Sequence, residues 1–432
     1  MPPALNADRR PGFLTMVLLL SAMLLSCLPI PDSRAEASAS VGMIGSAPTG
    51  GLERQGGSSS SAGAEGGGLA GELAEQQAGD VDLGQIEQFW NQLKDEYGGY
   101  FPDGRVPELK ELMFPSGEGF SVETALLGLA KFFLHELLFS GKLIVTIVML
   151  AVFTLILETM QNAFERSAVS KVAYAIAYLV LLIIAVNSFH TATQYAADAI
   201  ASMVEFMLAT VPLLMTLLAS TGSFTTVAVL HPFIVFMIHM IGTLIHLFVF
   251  PLLFFSAVLH LVSSISERYK VTQLANLLRT VGVGLLGVLL TMFLGVLSIQ
   301  GATGAVADGI ALKTTKFVTS NFVPVVGRMF SDAADTVLSA SLLVKNAVGL
   351  AGVVILLFLC AFPAVKILTL AMIYNLSAAV LQPLGDTPIV QSLQVIGKTL
   401  VFVFAALAAV GLMFFLAVTI ILTAGNASIM MR

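Results

Sequence analysis

Charge is the scarcest thing in this sequence. Only 11% of its 432 residues are Asp, Glu, Lys or Arg, against about a quarter in an ordinary soluble domain. What charge there is divides unevenly. Residues 38–141 hold 15 acidic and 5 basic side chains, a net of −10, and residues 142–432 hold 13 basic and 9 acidic, a net of +4. The acidic part excludes nucleic-acid binding, which needs a basic face. Cysteine is nearly absent: Cys27 sits near the start and Cys360 in an apolar run. Loss of a leader would leave one thiol, so no intramolecular disulfide reveals the redox compartment. The motifs of an intramembrane enzyme are missing too. His135-Glu136 lacks the second histidine of HExxH. Gly385-Asp386 follows Pro383-Leu384, so it is not a GxGD, and no serine-nucleophile elbow occurs.

Apolar sequence is abundant, at 57% of residues. Several runs reach the roughly 20 residues that a spanning helix needs. The fold class is therefore all-α: a polytopic membrane helix bundle of seven to nine spans, with a cleaved signal peptide and a small helical extracytoplasmic segment.

Residues 1–39 predict a signal peptide. Arg9 and Arg10 form the charged start, residues 13–25 the apolar core, and Ala35, Ala37 and Ala39 offer cleavage positions. An uncleaved anchor competes with this, although the apolar core is short for a span. Leu24-Leu25-Ser26-Cys27 imitates a lipoprotein box, with Leu25 and the following Pro29 and Pro31 fitting poorly. Residues 40–80 are Gly, Ser, Ala and Glu, a flexible linker with too little apolar side chain for a core.

Residues 81–141 predict a small helical lid at the membrane face. Leu83, Ile86, Trp90, Leu93 and Tyr97 recur at steps of three and four, giving one apolar stripe that Gly98-Gly99 stops. Residues 107–114 read as a second short helix. A third starts at Ser121, whose hydroxyl can cap it, with Glu123 in the first turn. Lys131, His135 and Glu136 interrupt its apolar surface, which predicts a position on the membrane or against the bundle.

The membrane part, residues 142–432, predicts spans at 143–157, 172–189 and 200–219. The double-length run 224–265 reads as two helices broken near Pro251. Further spans are 280–299, then one long or two short helices over 347–380, and 400–422. With the acidic segment outside, Arg166 and Lys171 fall inside, loop 190–199 outside, and Arg268 and Lys270 inside, following the positive-inside rule. Residues 300–346 then form an ordered polar island on the outer face, expected as two short helices around a turn at 321–327. The island carries Asp308, Lys313, Lys316, Arg328, Asp332, Asp335 and Lys345.

Other motifs weigh less than they promise. Residues 282–287 match GxGxxG but lie inside an uncharged apolar run, where no dinucleotide site forms. Gly284, Gly287, Thr291, Gly295 and Ser298 share one face instead, and predict close helix packing. Gly397-Lys398-Thr399 imitates the end of a phosphate loop, yet Ser392 replaces the needed glycine, so Lys398 marks a membrane boundary. His231, His239, His246 and His260 fall in one apolar run, without a carboxylate to suggest a metal site. Glu205 and Lys366, isolated charges within spans, are expected to pair, with Glu205 snorkelling as the alternative. No catalytic, cofactor-binding or metal-ligating residue is identified.

One set of segments carries a family likeness: Leu297-Ser298-Ile299-Gln300-Gly301, residues 307–313 (ADGIALK), residues 321–327 (NFVPVVG), residues 330–336 (FSDAADT) and Leu343-Val344-Lys345-Asn346. Together they resemble the stage III sporulation protein AE family of endospore-forming bacteria. The resemblance implies a multi-pass protein of the mother-cell membrane around the forespore, without enzymatic activity or cofactor. It implies partners among the other membrane and ring-forming proteins of the stage III A operon and, through them, a forespore membrane protein. Such an assembly resembles a secretion-type channel that supports forespore development. The alternative class is a small-metabolite transporter, suggested by the interrupted run 347–380 and the isolated charges.

Overall fold

The computed structural model describes residues 82–101, 106–114, 122–163, 168–265, 271–322, 326–385 and 387–430. The signal peptide, Cys27, linker 40–80, the Ser121 cap and the centre of the expected turn at 321–327 lie outside the described residues. Helices account for nearly all of what is described, with no strand among the described residues.

Three small helices come first: α1 (Gly84–Tyr97), α2 (Leu109–Met113) and α3 (Val122–Phe139). The apolar stripe of α1 is its buried face, with Ile86, Trp90, Leu93 and Tyr97 all at 6% exposure or less. Tyr97 ends the helix, and Gly98–Tyr100 continues as one 3₁₀ turn. In α2, Glu108 accepts from the N3 backbone while Glu111 reaches back to the Glu108 N–H, a reciprocal capping box. Ser140 alone separates α3 from α4 (Gly141–Ala163). Residues 123–160 together are long and apolar enough to cross a membrane, and Phe132 packs α3 against Phe362, the expected position against the bundle.

Five long helical runs complete the chain. They are α5 (Ala168–Ser220), α6 (Phe224–Leu244) running through a π turn (Ile245–Val249) into α7 (Phe250–Ile265), α8 (Thr272–Phe322), α9 (Val326–Leu381) and α10 (Pro388–Met430). With 123–160, the segments 172–220, 224–264, 272–311, 336–384 and 388–424 make six candidate membrane spans, by length and composition, among the described residues.

Helical continuity accounts for the difference from the expected count. Residues 190–199, expected as an outer loop, are helical and join two apolar runs into the 53-residue α5. No glycine or proline lies there to stop the helix. A continuous helix cannot reverse direction, so each such run makes at most one candidate span. Pro251 does not break 224–265 either. It lacks the N–H that would reach the carbonyl of Leu247. The preceding π turn, in which Phe250 N–H donates to Ile245 O, accommodates that gap without interrupting the rod. Pro363 likewise sits inside the continuous α9. The polar island 300–346 is not two separate short helices. Its halves are the end of α8 and the start of α9, because Gly301 and Gly304 are held inside tight helix contacts and do not terminate α8.

The last helix lies at the centre. α10 packs against α5, α6, α7, α8 and α9, and no residue from 399 to 422 is exposed. Glycines set these approaches. A methyl added at Gly301 would press on Ile420, at Gly349 on Leu422, and at Gly397 on Asn375. The predicted small-residue face behaves differently. Gly284, Gly287 and Gly295 have nothing within 4 Å of an added Cβ, and Thr291 and Ser298 are exposed with them. Within this chain α8 packs through its larger face instead, burying Leu286, Leu289, Phe293 and Leu297.

Hydroxyls tie helices together where apolar attraction between helices is weak. Tyr178 Oη lies 2.8 Å from Ser392 Oγ and 3.0 Å from Ser264 Oγ, linking α5, α10 and α7. Ser256 Oγ donates to Ala275 O at 2.7 Å, joining α7 to α8.

Candidate functional site

The most elaborated surface of the molecule is where α1 closes on the bundle. The stripe of α1 meets an aromatic cluster on α9. Tyr97 stacks on Phe362 at 3.9 Å and 3°, Trp90 lies 6.4 Å from Phe358, and Phe89 meets Phe206 of α5 edge-on at 5.4 Å. Phe132 of α3 completes the cluster against Tyr97 and Phe362. Trp90 Nε1 donates to Pro107 O at 2.9 Å, which ties α1 to the approach to α2. Buried aromatics of this kind contribute large apolar areas, and each ring pair adds about 0.5–1.5 kcal/mol beyond that.

Lys366 stands at the edge of this cluster. Its ammonium lies 5.2 Å from the Tyr195 ring centre, 5.8 Å from that of Tyr97 and 6.0 Å from that of Phe132. Glu96 of α1 is 4.0 Å away, with side-chain exposures of 23% for the lysine and 53% for the glutamate. Such a half-exposed pair is worth under about 1 kcal/mol. The rings, not the ion pair, hold the lid. Burial, and then neighbouring Glu96, push the Tyr97 phenol well above its usual range.

A cavity of about 250 Å³ opens beside these groups, bordered by Gln92 and Glu96 of α1, Tyr195, Asp198 and Ser202 of α5, and Lys366 of α9. It places carboxylates, an ammonium, phenols and an amide around one small volume. That arrangement suits polar binding.

The expected partnership of Glu205 with Lys366 does not form. Glu205 is exposed on α5, and Lys366 turns to Glu96 and the rings instead. A second hollow, of about 450 Å³, lies between α5 and the π turn. His239 and His246 line it with Thr243, Gly242, Ala197 and Ala201, so two of the four histidines share one wall. His239 Nδ1 is 3.3 Å from Val235 O in its own helix. Among the described residues no three His, Cys, Asp or Glu side chains converge as metal ligands.

Among the described residues of the polar island two charges are buried, both used for helix ends. Asp308, 2% exposed, accepts from Thr225 N at 2.9 Å and Thr226 N at 3.0 Å, the N2 and N3 positions of α6. Ser223 occupies the N-cap position there without a side-chain cap, so a carboxylate 83 residues away performs the capping. Lys345, fully buried, donates to Leu422 O at 2.9 Å and Asn426 Oδ1 at 3.4 Å near the end of α10. An anion at a helix start and a cation at a helix end both match the helix dipole. Neither contact was visible from sequence spacing, since each joins positions far apart. The lid's docking positions Phe358 and Phe362 left one signal: two aromatics four residues apart beside Pro363 and Lys366.

Comparison with known proteins agrees with this architecture. The family model described as stage III sporulation protein AE matches residues 107–425. The stage III sporulation protein AE of Bacillus subtilis (strain 168) is 52% identical over 362 residues, covering 84% of this chain and 90% of that protein. No solved structure matches. The match thus spans α2, every long helix, the polar island and the Lys366 wall of the lid cavity, and on it the chain belongs to the stage III sporulation protein AE family.

Proposed function

We propose that this protein is a non-enzymatic membrane subunit of a sporulation-specific, secretion-type channel between mother cell and forespore, required for forespore development. The observation that carries the reading is the family match, running through a bundle of six helices long and apolar enough to span a membrane. Its partners are the other membrane and ring-forming proteins of the stage III A operon and, through them, a forespore membrane protein. The protein sits in the mother-cell membrane surrounding the forespore, its signal peptide removed. Positive charge supports the orientation. Arg166, Lys171, Arg268 and Lys270 fall in the sequence between apolar runs that this rule assigns to the cytoplasmic side.

In this reading the lid and the exposed end of α8 meet the ring-forming partners. Gly301, Gly304, Asp308 and Lys345 pack internally, so the test alters only exposed residues: Val306→Glu, Ile310→Glu and Lys313→Glu together. The expected result is loss of co-purification with the operon partners and of late forespore reporter expression, with normal membrane abundance. Unchanged co-purification and expression would refute the assignment.

The cavity at Lys366 favours a second reading, a small-metabolite transporter. Uptake into liposomes by the purified protein, abolished by Lys366→Met, would establish it over the first.

A further inference from the structure

One face of α5 changes character along its length. Through its first part the exposed residues are Val172, Ile176, Leu179 and Ile183, each more than half exposed. From there the same face, at steps of three, four and seven, presents Asn187, His190, Gln194, Asp198 and Glu205. Side chains at such spacings share one side of a helix. The polar stretch covers about 18 residues, or roughly 27 Å.

The neighbouring helices keep an apolar outside at this level. α5 and α6 form an antiparallel hairpin about residues 221–223, so Glu205 stands level with His239 and Asn187 with α7. There His239, Thr243 and His246 border the hollow against α5, and the rest of the exposed surface is Leu247 (60%), Phe248 (47%) and Phe255 (57%). α8, whose Gly282 abuts Leu252, exposes Leu277, Val281 and Val288 at the same level. The bundle is therefore lipid-like on those sides and polar on the α5 side at one level. A simple exit of the helices from the membrane would turn every side polar. Charged groups within an apolar bundle face water or other protein, not hydrocarbon.

The lid gives an independent reason. α1 docks beside this stripe, against Phe206 of α5 and Phe358 of α9. Its outward side, with Gln88, Asn91, Asp95 and Glu96, forms an open polar hollow. Such a surface needs water at that level.

We infer that the α5 stripe and the outer face of α1 together wall a water-filled, cation-attracting vestibule on one side of the bundle. Asp95, Glu96, Asp198 and Glu205 outnumber Lys366 along these surfaces, a negative balance that concentrates small hydrated cations. The inference rests on the membrane reading above but not on the channel partners, and its test needs neither partner nor sporulation.

Single cysteines are placed in a Cys27→Ala, Cys360→Ala background of the full chain, in membrane vesicles permeable to reagent from both sides. Stripe positions are 187, 190, 194, 198 and 205. Controls are 172, 176, 183, 255 and 288. Each variant is retained only if it extracts as a single monodisperse species. The stripe should react with hydrophilic thiol reagents at least about ten-fold faster than the controls. At 194, a cationic methanethiosulfonate should outpace an anionic one by several-fold, and Asp198→Asn with Glu205→Gln should abolish that preference. Equal reaction of stripe and controls would overturn the inference by showing water on all sides. An inert stripe would overturn it by showing lipid or protein cover. Fast reaction with no charge preference would overturn the cation assignment.

Discussion

Asp308→Ala is the sharpest test of how the polar island is built. The carboxylate receives two backbone N–H groups of α6 at 2.9 and 3.0 Å. Hydrogen bonds to a charged group are worth about 1.5–3 kcal/mol each, so both together set a ceiling near 6 kcal/mol. Thr225 is exposed, and its N–H regains water when the carboxylate goes. Thr226 is 1% exposed, and Gly304 closes over it so tightly that an added methyl would come within 3.0 Å of its Cα. That N–H is left without a partner. The expected loss is therefore about 2–4 kcal/mol, or roughly 30- to 700-fold in the folding equilibrium. Asp308→Asn keeps an acceptor oxygen for Thr226 but not the charge, and should lose about half as much. The assay is unfolding of the purified protein in mixed micelles by a denaturing detergent, read by tryptophan fluorescence and helical circular dichroism. A change below about 0.5 kcal/mol for Asp308→Ala would refute the capping role, and so would equal losses for the two variants.

Three further outcomes are expected. Phe362→Ala should free the lid, seen as fast tryptic cleavage at Lys94, whereas Lys366→Met and 1 M salt should leave cleavage slow, because the ion pair adds under about 1 kcal/mol. Lid docking should weaken as pH rises above about 10, the unfolded tyrosine value. The folded Tyr97 phenol is held higher by burial and Glu96, so its contribution is complete below that pH and lost above it. Tyr97→Phe should remove this dependence in a cleavage-rate profile. Gly349→Val should cost about 2 kcal/mol or more through overpacking against Leu422, while Gly287→Val, on an open face, should change micellar stability by less than about 0.5 kcal/mol.

Periodicity carried the local structure well and the long-range structure poorly. The α1 stripe was legible because Ile86, Trp90, Leu93 and Tyr97 repeat at helical spacing and all bury the same way. Span division failed at residues 190–199 because polarity there was read as a turn, although no residue in it breaks a helix. The segment is polar because it borders the lid cavity. The small-residue face of α8 was legible as a pattern but not as a contact: spacing shows that a surface permits close approach, not that this chain supplies the neighbour. The pairing of Glu205 with Lys366 failed for a related reason. Two isolated charges invite pairing on the page, while in space Lys366 sits among rings contributed by α1, α3 and α5.

The position of α10 bears on how the protein is made. A chain enters its membrane from the N-terminus, yet α10 follows in sequence all five of the helices that enclose it. Until residues 388–430 emerge, the earlier helices have no centre to close upon, and Lys345 has no Leu422 carbonyl to meet. Lid docking waits almost as long, since Phe358 and Phe362 follow Trp90 by more than 260 positions. Closure of these helices must therefore wait for residues 388–430. A nascent protein halted before residue 388 would leave a ring of helices open at its axis, the state that insertion factors and quality-control proteases in the membrane would meet.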